Sequence, residues 1–158
     1  MSLSIKELNY DNLDELRKLE SALKNWFANP KELNFTDSEM RYPFDMKKWI
    51  NVNYKLNKIQ TVLLSKDEWI IGYGGVKFIK KNKLAHIAQI FLDPDHRGNG
   101  YRNKIINYIQ DLSVKNKIKT LTITAMKKDK YSQELYIDSG FVEKEKSGNR
   151  IYLKKDIR

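Results

Sequence analysis

The spacing of apolar positions changes several times along the chain, and each change marks an element. Ser4 to Leu8 alternates weakly, as a short first strand does. Leu13, Leu16, Leu19 and Leu23 then fall at helical spacing behind Asp11 and Asn12, either of which can cap a helix running to about Phe27. Asn29-Pro30 closes that helix. Residues 30–43 read as polar and irregular, and Phe44 to Leu56 predicts a second helix with Trp49, Ile50 and Val52 on one face. Thr61 to Leu64 and Trp69 to Tyr73 flank Lys66-Asp67-Glu68 in a hairpin pattern. The second strand of that hairpin extends to Ile79, with Gly72, Gly74 and Gly75 marking a bulge or a close approach. Asn82-Lys83 turns the chain into a strand from Leu84 to Leu92.

The second half alternates in the same manner. A helix is predicted over residues 99–115, a strand from Lys119 to Met126 and a short helix from Ser132 to Ser139 ended by Gly140. Phe141 to Lys146 and Arg150 to Lys154 form a terminal hairpin across Ser147-Gly148-Asn149. The order is β-α-α-β-β-β-α-β-α-β-β, without repeats, low-complexity tracts or linkers. It predicts an α/β domain with a mixed sheet, spanning residues 1–158 as a single unit.

Composition narrows the function classes. No apolar run approaches the length of a membrane span, and the N-terminus lacks a basic segment followed by an apolar one. The cytoplasm is therefore the expected compartment. With no cysteine there is no disulfide framework, thiolate metal site or cysteine nucleophile, and no metal is expected. A net charge of +10 raises nucleic acid as a partner. The excess is mostly lysine spread along the whole chain, and neither a helix-turn-helix nor an aromatic RNA-binding signature accompanies it. A compositional bias toward lysine, asparagine and isoleucine accounts for that excess without any partner, and a polyanionic cofactor or an acidic partner fits the charge next.

The segment from Ile90 to Lys104 carries the chemistry. It reads as an apolar strand, a break at Pro94, a glycine-bearing turn and an amphipathic helix with Ile105, Ile106, Tyr108 and Ile109. Glycines at a helix entrance let unpaired N–H groups converge where the helix dipole is positive, which makes a phosphate cradle. A P-loop would need Gly-Lys-Ser/Thr where this chain has Gly100-Tyr101-Arg102, and a dinucleotide fingerprint would need a small residue where Asn103 stands. Arg97-Gly98-Asn99-Gly100-Tyr101-Arg102 instead resembles the Q/R-x-x-G-x-G/A loop of the GNAT N-acetyltransferase family, with Arg102 departing from the small last residue. Leu92 to His96 is similar to that family's V-x-P-x-x lead-in. Leu135 to Phe141 is similar to its L-Y-x-x-x-G-F signature, and the strand Lys119–Met126 lies between the two as the family order requires.

This resemblance implies a GNAT-like fold: a central mixed sheet of six to seven strands, its parallel fourth and fifth strands splayed apart, flanked by about four helices. It implies acetyl-CoA as acyl donor. The pantetheine arm would pair with main-chain atoms near Ile90, Phe91 and Leu92. The pyrophosphate would rest on the turn from Arg97 and Gly98 through Asn99, Gly100, Tyr101 and Arg102 to Asn103. Arg102 either narrows that approach or pairs with a phosphate. Asp129 and Ser132 stand where the family often has Asn and Ala, and Asp129 is carried over as a cofactor contact. Tyr136 would lie near the CoA sulfur as cofactor contact and general acid, since a phenol of pKa about 10 holds its proton at neutral pH.

The resemblance implies an amine acceptor, and the chemistry of that amine decides how much base is needed. A lysine-like ammonium costs roughly 4.6 kcal/mol to deprotonate at pH 7, whereas an α-amino group costs about 1–1.4 kcal/mol. The histone-acetylating branch places a glutamate eleven residues before the Q/R position, and here that position is His86, a candidate base. Gln89 could orient a water; Glu68 and His96 are remoter candidates. Trp26, Phe27, Phe35, Tyr42, Phe44 and Trp49 either line the acceptor side or fill the core, and Asp37, Glu39 and Asp45 could attract a cationic amine. The expected activity is acetyl transfer to a primary amine of a small molecule or a protein, by a monomer or homodimer. A catalytically silent acyl-CoA-binding module of the same fold and, more remotely, a basic nucleic-acid-binding domain are the alternatives.

Overall fold

Turn and cap chemistry sets the boundaries of the elements in the computed structural model, which describes residues 2–36 and 40–157. The Asn12 side chain accepts from the Glu15 N–H and opens helix α1 (Leu13–Trp26). Asn29 and Pro30 do more than end it. Asn29 accepts from the Lys31 N–H at 3.0 Å, and Pro30 begins a further helix, α2 (Pro30–Thr36). Part of the stretch read as irregular is therefore helical, because proline's fixed φ suits a first helical position as well as it suits a break. Asp45 caps α3 (Met46–Ile50), which starts later than the apolar pattern suggested and continues with π winding through Asn51–Leu56.

The strands are β1 (Leu3–Glu7), β2 (Gln60–Lys66), β3 (Trp69–Ile79), β4 (Leu84–Leu92), β5 (Thr120–Met126), β6 (Val142–Ser147) and β7 (Arg150–Asp156). Asp67 and Glu68 join β2 to β3 with both φ values positive, 50° and 75°, the two-residue hairpin geometry whose twist matches the strands. Helix α4 (Tyr101–Lys115) links β4 to β5, and α5 (Lys130–Asp138) follows β5. All seven strands share one sheet in the order β1-β2-β3-β4-β5-β7-β6; β4 and β5 run parallel and every other pair is antiparallel. The mixed α/β fold is thus the expected one, with five α-helices among the described residues.

Each face of the sheet has its own core. Val62, Leu64, Ile71, Val76, Ile87, Ile90 and Leu92 pack with Ile105, Ile106 and Ile109 of α4 and Tyr136 of α5. Leu63, Tyr73 and Phe91 point the other way and meet Leu19, Leu23, Trp26, Phe27 and Trp49 from α1 and α3, with Leu33 of α2. Full burial of each such side chain contributes roughly 1.5–3 kcal/mol. Ile87 and Ile90 reach the same face although they are three residues apart. The register explains this: Gln89 faces Gly75 and Ile87 faces Val76, so Ala88 is an extra residue, a bulge.

Candidate active site

The bulge coincides with the place where β4 parts from β5. Their pairing runs from Leu84/Thr120 to Ile87/Ile123 and ends there. Beyond it β4 keeps its β3 partners to Leu92, and β5 keeps its β7 partners to Met126. The edge of β4 from Ala88 to Leu92 that faces β5 is thus left without a strand partner. That edge includes Ile90, Phe91 and Leu92, whose side chains are buried while their main chain borders the wedge.

At the open end of the wedge the chain passes through a short 3-10 turn, Pro94–His96, into the glycine turn. Gly98 and Gly100 have φ of 89° and 75°, and a Cβ at either would meet nothing within 4 Å. Their need is conformational, not one of space. Gly100 is the N-cap of α4 and offers no side chain to it, unlike Asn12, Asp45 and Asp129 at the starts of α1, α3 and α5. The first N–H groups of α4 have no partner within the helix. Arg97 is tied back from this turn: its Nε donates to the Leu92 carbonyl at 3.0 Å, its Nη2 pairs with Glu32 at 2.8 Å, and its guanidinium stacks on Phe91.

Arg102 and Asn103, in the first turn of α4, reach across to α5. Arg102 Nη1 donates to Ser132 Oγ at 3.1 Å, and the guanidinium lies over the Tyr131 ring. Ser132 Oγ in turn donates to Asp129 at 2.7 Å while its N–H donates to the other Asp129 oxygen. At the far end of α5, Ser139 Oγ donates to Asn103 Oδ1 at 2.8 Å. Gln133 anchors the helix to the end of β5 through the Met126 and Lys127 carbonyls. Tyr136 sits inside this frame, 6% exposed. Burial raises its pKa to about 12, with Arg102 opposing the rise, Asp129 adding to it and a hydrogen bond to Ser132 lowering it.

His86 lies on the opposite face. Cross-strand pairing puts it in a row with Lys77 of β3 and Thr122 of β5, and Thr122 continues the row to Lys154 of β7. Its Nδ1 is 2.8 Å from Thr122 Oγ1. Burial, and then the Lys77 charge, lower its pKa from the usual 6.5. Thr120, Thr122, Thr124, Tyr152 and Lys154 are half-buried on this face, and none belongs to either core.

The family model described as the acetyltransferase (GNAT) family matches residues 20–141. The chain belongs to the GNAT family. Solved structures show the same fold. One is the PaiA N-acetyltransferase of Thermoplasma acidophilum in complex with coenzyme A, 18% identical over 99% of this chain and 100% of that one, with a TM-score of 0.72. The GNAT domain of S. lividans PAT is 12% identical over 97% and 89%, with a TM-score of 0.80. Ribosomal-protein-alanine N-acetyltransferase from Brucella melitensis is 13% identical over 98% and 99%, with a TM-score of 0.72. No curated protein matches the chain.

The glycine turn stands at the open end of the wedge and Tyr136 lies on the α4–α5 face, whereas His86 lies on the other face, where β4 and β5 are still paired. Asp129 is committed to capping α5. Among the aromatics weighed for the acceptor side, Trp26, Phe27 and Trp49 are core; Phe44 packs on Phe27, and Tyr42 is exposed. Asp45 is a cap. Asp37, Glu39 and the Phe35 side chain lie outside the described residues. Glu68 is in the β2–β3 turn and His96 in the loop before the glycines, 3.8 Å from Asp93. Ser132 and Ser139 carry links that no motif announced, since serine near a helix end reads as capping. No helix among the described residues is long and apolar enough to cross a membrane.

Proposed function

We propose that this GNAT protein transfers an acetyl group from acetyl-CoA directly to a primary amine, on a small molecule or a protein, acting as one domain over its whole length. The observation that carries the reading is the β4–β5 wedge opening onto an uncapped, glycine-led helix. An unpaired strand edge suits the amide-bearing pantetheine arm, and bare N–H groups at a helix dipole suit a pyrophosphate. Main-chain atoms of Ile90, Phe91 and Leu92 would hold the arm, and the turn from Gly98 to Asn103 the phosphates. Arg102 retains a buried Nε with no partner, and a turn of its guanidinium would bring a donor to a phosphate oxygen.

In the reaction the neutral amine attacks the thioester carbon, whose carbonyl oxygen is polarised by main-chain N–H groups of β4. The tetrahedral intermediate collapses with cleavage of the C–S bond, and Tyr136 protonates the departing thiolate. His86 takes the proton lost by the amine. With Nδ1–H donating to Thr122, Nε2 keeps its lone pair for that step. Release of free CoA thiol across a panel of amines tests the assignment and names the acceptor. Thiol release that depends on an amine supports it; tight CoA binding with no release for any amine would leave a silent acyl-CoA-binding module.

A further inference from the structure

The π-wound half of α3 inverts the usual burial pattern. Leu56 is 67% exposed there, while Asn53, three residues earlier, is 1% exposed. The wider winding, closed by the Asn57 N–H on the Val52 carbonyl, turns an amide inward where a regular amphipathic helix would place an apolar residue. Asn53 Nδ2 donates to the Trp49 carbonyl at 3.1 Å, and its Oδ1 accepts from Gln89 Nε2 at 2.7 Å. Gln89 is itself buried and is the first residue after the Ala88 bulge. Gly75 lies against the Gln89 side chain: a Cβ there would be 3.0 Å from Gln89 Oε1 and 2.9 Å from Ile59.

Bulges add a residue that ladder bonds do not hold and locally disrupt the ladder. In this chain Ala88 has no counterpart on β3, and β4 has already lost β5. The buried Asn53–Gln89 hydrogen bond pins the strand at that point to a helix on the other side of β3. We propose that Asn53 and Gln89 form a clamp that fixes the β4 bulge and so aims the main-chain donors of β4 at the thioester carbonyl. Both are positioning residues, and the inference rests on the acetyl-transfer reading above.

An apolar replacement of both partners separates positioning from packing, because the two amides that bond each other leave together and neither is stranded by the loss of the other. Asn53→Leu alone is expected to lower both Tm and kcat. Asn53→Leu/Gln89→Met is expected to regain most of the Tm and to bind CoA as wild type does, yet to keep kcat about 10- to 100-fold down, the cost of a misaimed donor. Recovery of kcat together with Tm would overturn the proposal. If the double variant does not fold, Asn53→Ala is read by amide exchange. Faster exchange at Ala88 to Ile90, with β5 and β7 unchanged, supports the clamp, and unchanged exchange at the bulge defeats it. Wild-type protein that releases no thiol with any amine would defeat acetyl transfer instead, and amide exchange would still decide whether the clamp exists.

Discussion

In the proposed reaction the acid and the base are two side chains on opposite faces of the sheet, Tyr136 beside the wedge and His86 where β4 and β5 are still paired. Tyr136, pushed up to about 12 by burial, is protonated at any physiological pH. Passing that proton to a thiolate of ordinary pKa, about 8.5, is uphill by roughly 5 kcal/mol, so the neighbours that lower it matter. Arg102 is the cation among them. Tyr136→Phe should cut kcat by about 10²-fold or more and leave CoA affinity near wild type; an unchanged kcat ends the assignment. Arg102→Ala should lower kcat as well, and weaken acetyl-CoA more than acetyl-pantetheine, which lacks the diphosphate. His86 works in the opposite sense. Burial first, then Lys77, push its pKa below 6.5, favouring the neutral form that accepts a proton. Expressed per concentration of neutral amine, kcat/KM should therefore stay level as pH falls through 6.5 and drop only below it. Lys77→Ala should move that limb upward, and His86→Gln should remove it; a limb that survives His86→Gln belongs to another titrating group and ends the assignment of His86 as base.

At the scale of elements, packing distances decide which substitutions the frame tolerates. A Cβ on Gly74 would lie 2.6 Å from Ile105 Cγ2 and 3.1 Å from Ile109 Cδ1. Ile105 is β-branched and fully buried, so its methyl cannot swing away. Gly74→Ala should cost about 1–3 kcal/mol, read as a lower urea midpoint at constant slope. Combined with Ile105→Ala, the loss should be smaller than the sum of the two single losses. The sequence marked Gly72, Gly74 and Gly75 as a bulge or a close approach but not of what, because the neighbours are distant in sequence: Phe91 and Leu92 at Gly72, Ile105 and Ile109 of α4 at Gly74, Ile59 and Gln89 at Gly75. The same limit explains α2 and α3. Asn29-Pro30 announces a break in any context, and only the burial of Leu33 against Phe91's face makes the next turn helical. The π winding had no local signal, and the amide it turns inward bonds a glutamine on β4 that is 36 residues away.

Taken as a whole molecule, the site was more legible than its fastenings. Strand, turn, helix and the tyrosine segment stand in chain order, so their spacing already implied one cleft. The bonds that join α4 to both ends of α5 connect residues about thirty to thirty-six apart and left no periodic trace. Charge is the other whole-molecule property. A net +10 spread over the chain sets up a field that draws any polyanion, and the donor proposed here carries its negative charge on phosphates. Screening length falls from about 30 Å at 0.01 M salt to about 3 Å at 1 M, so association should slow and KM for acetyl-CoA should climb steadily over that range. Acetyl-pantetheine has the same thioester and no phosphate, and its KM should stay flat. Equal salt dependence for both donors would mean that the lysines steer nothing toward the wedge. Duplex DNA provides the contrasting case. Binding that weakens steeply with salt, and that competes with acetyl-CoA, would show the positive face serving a nucleic acid instead.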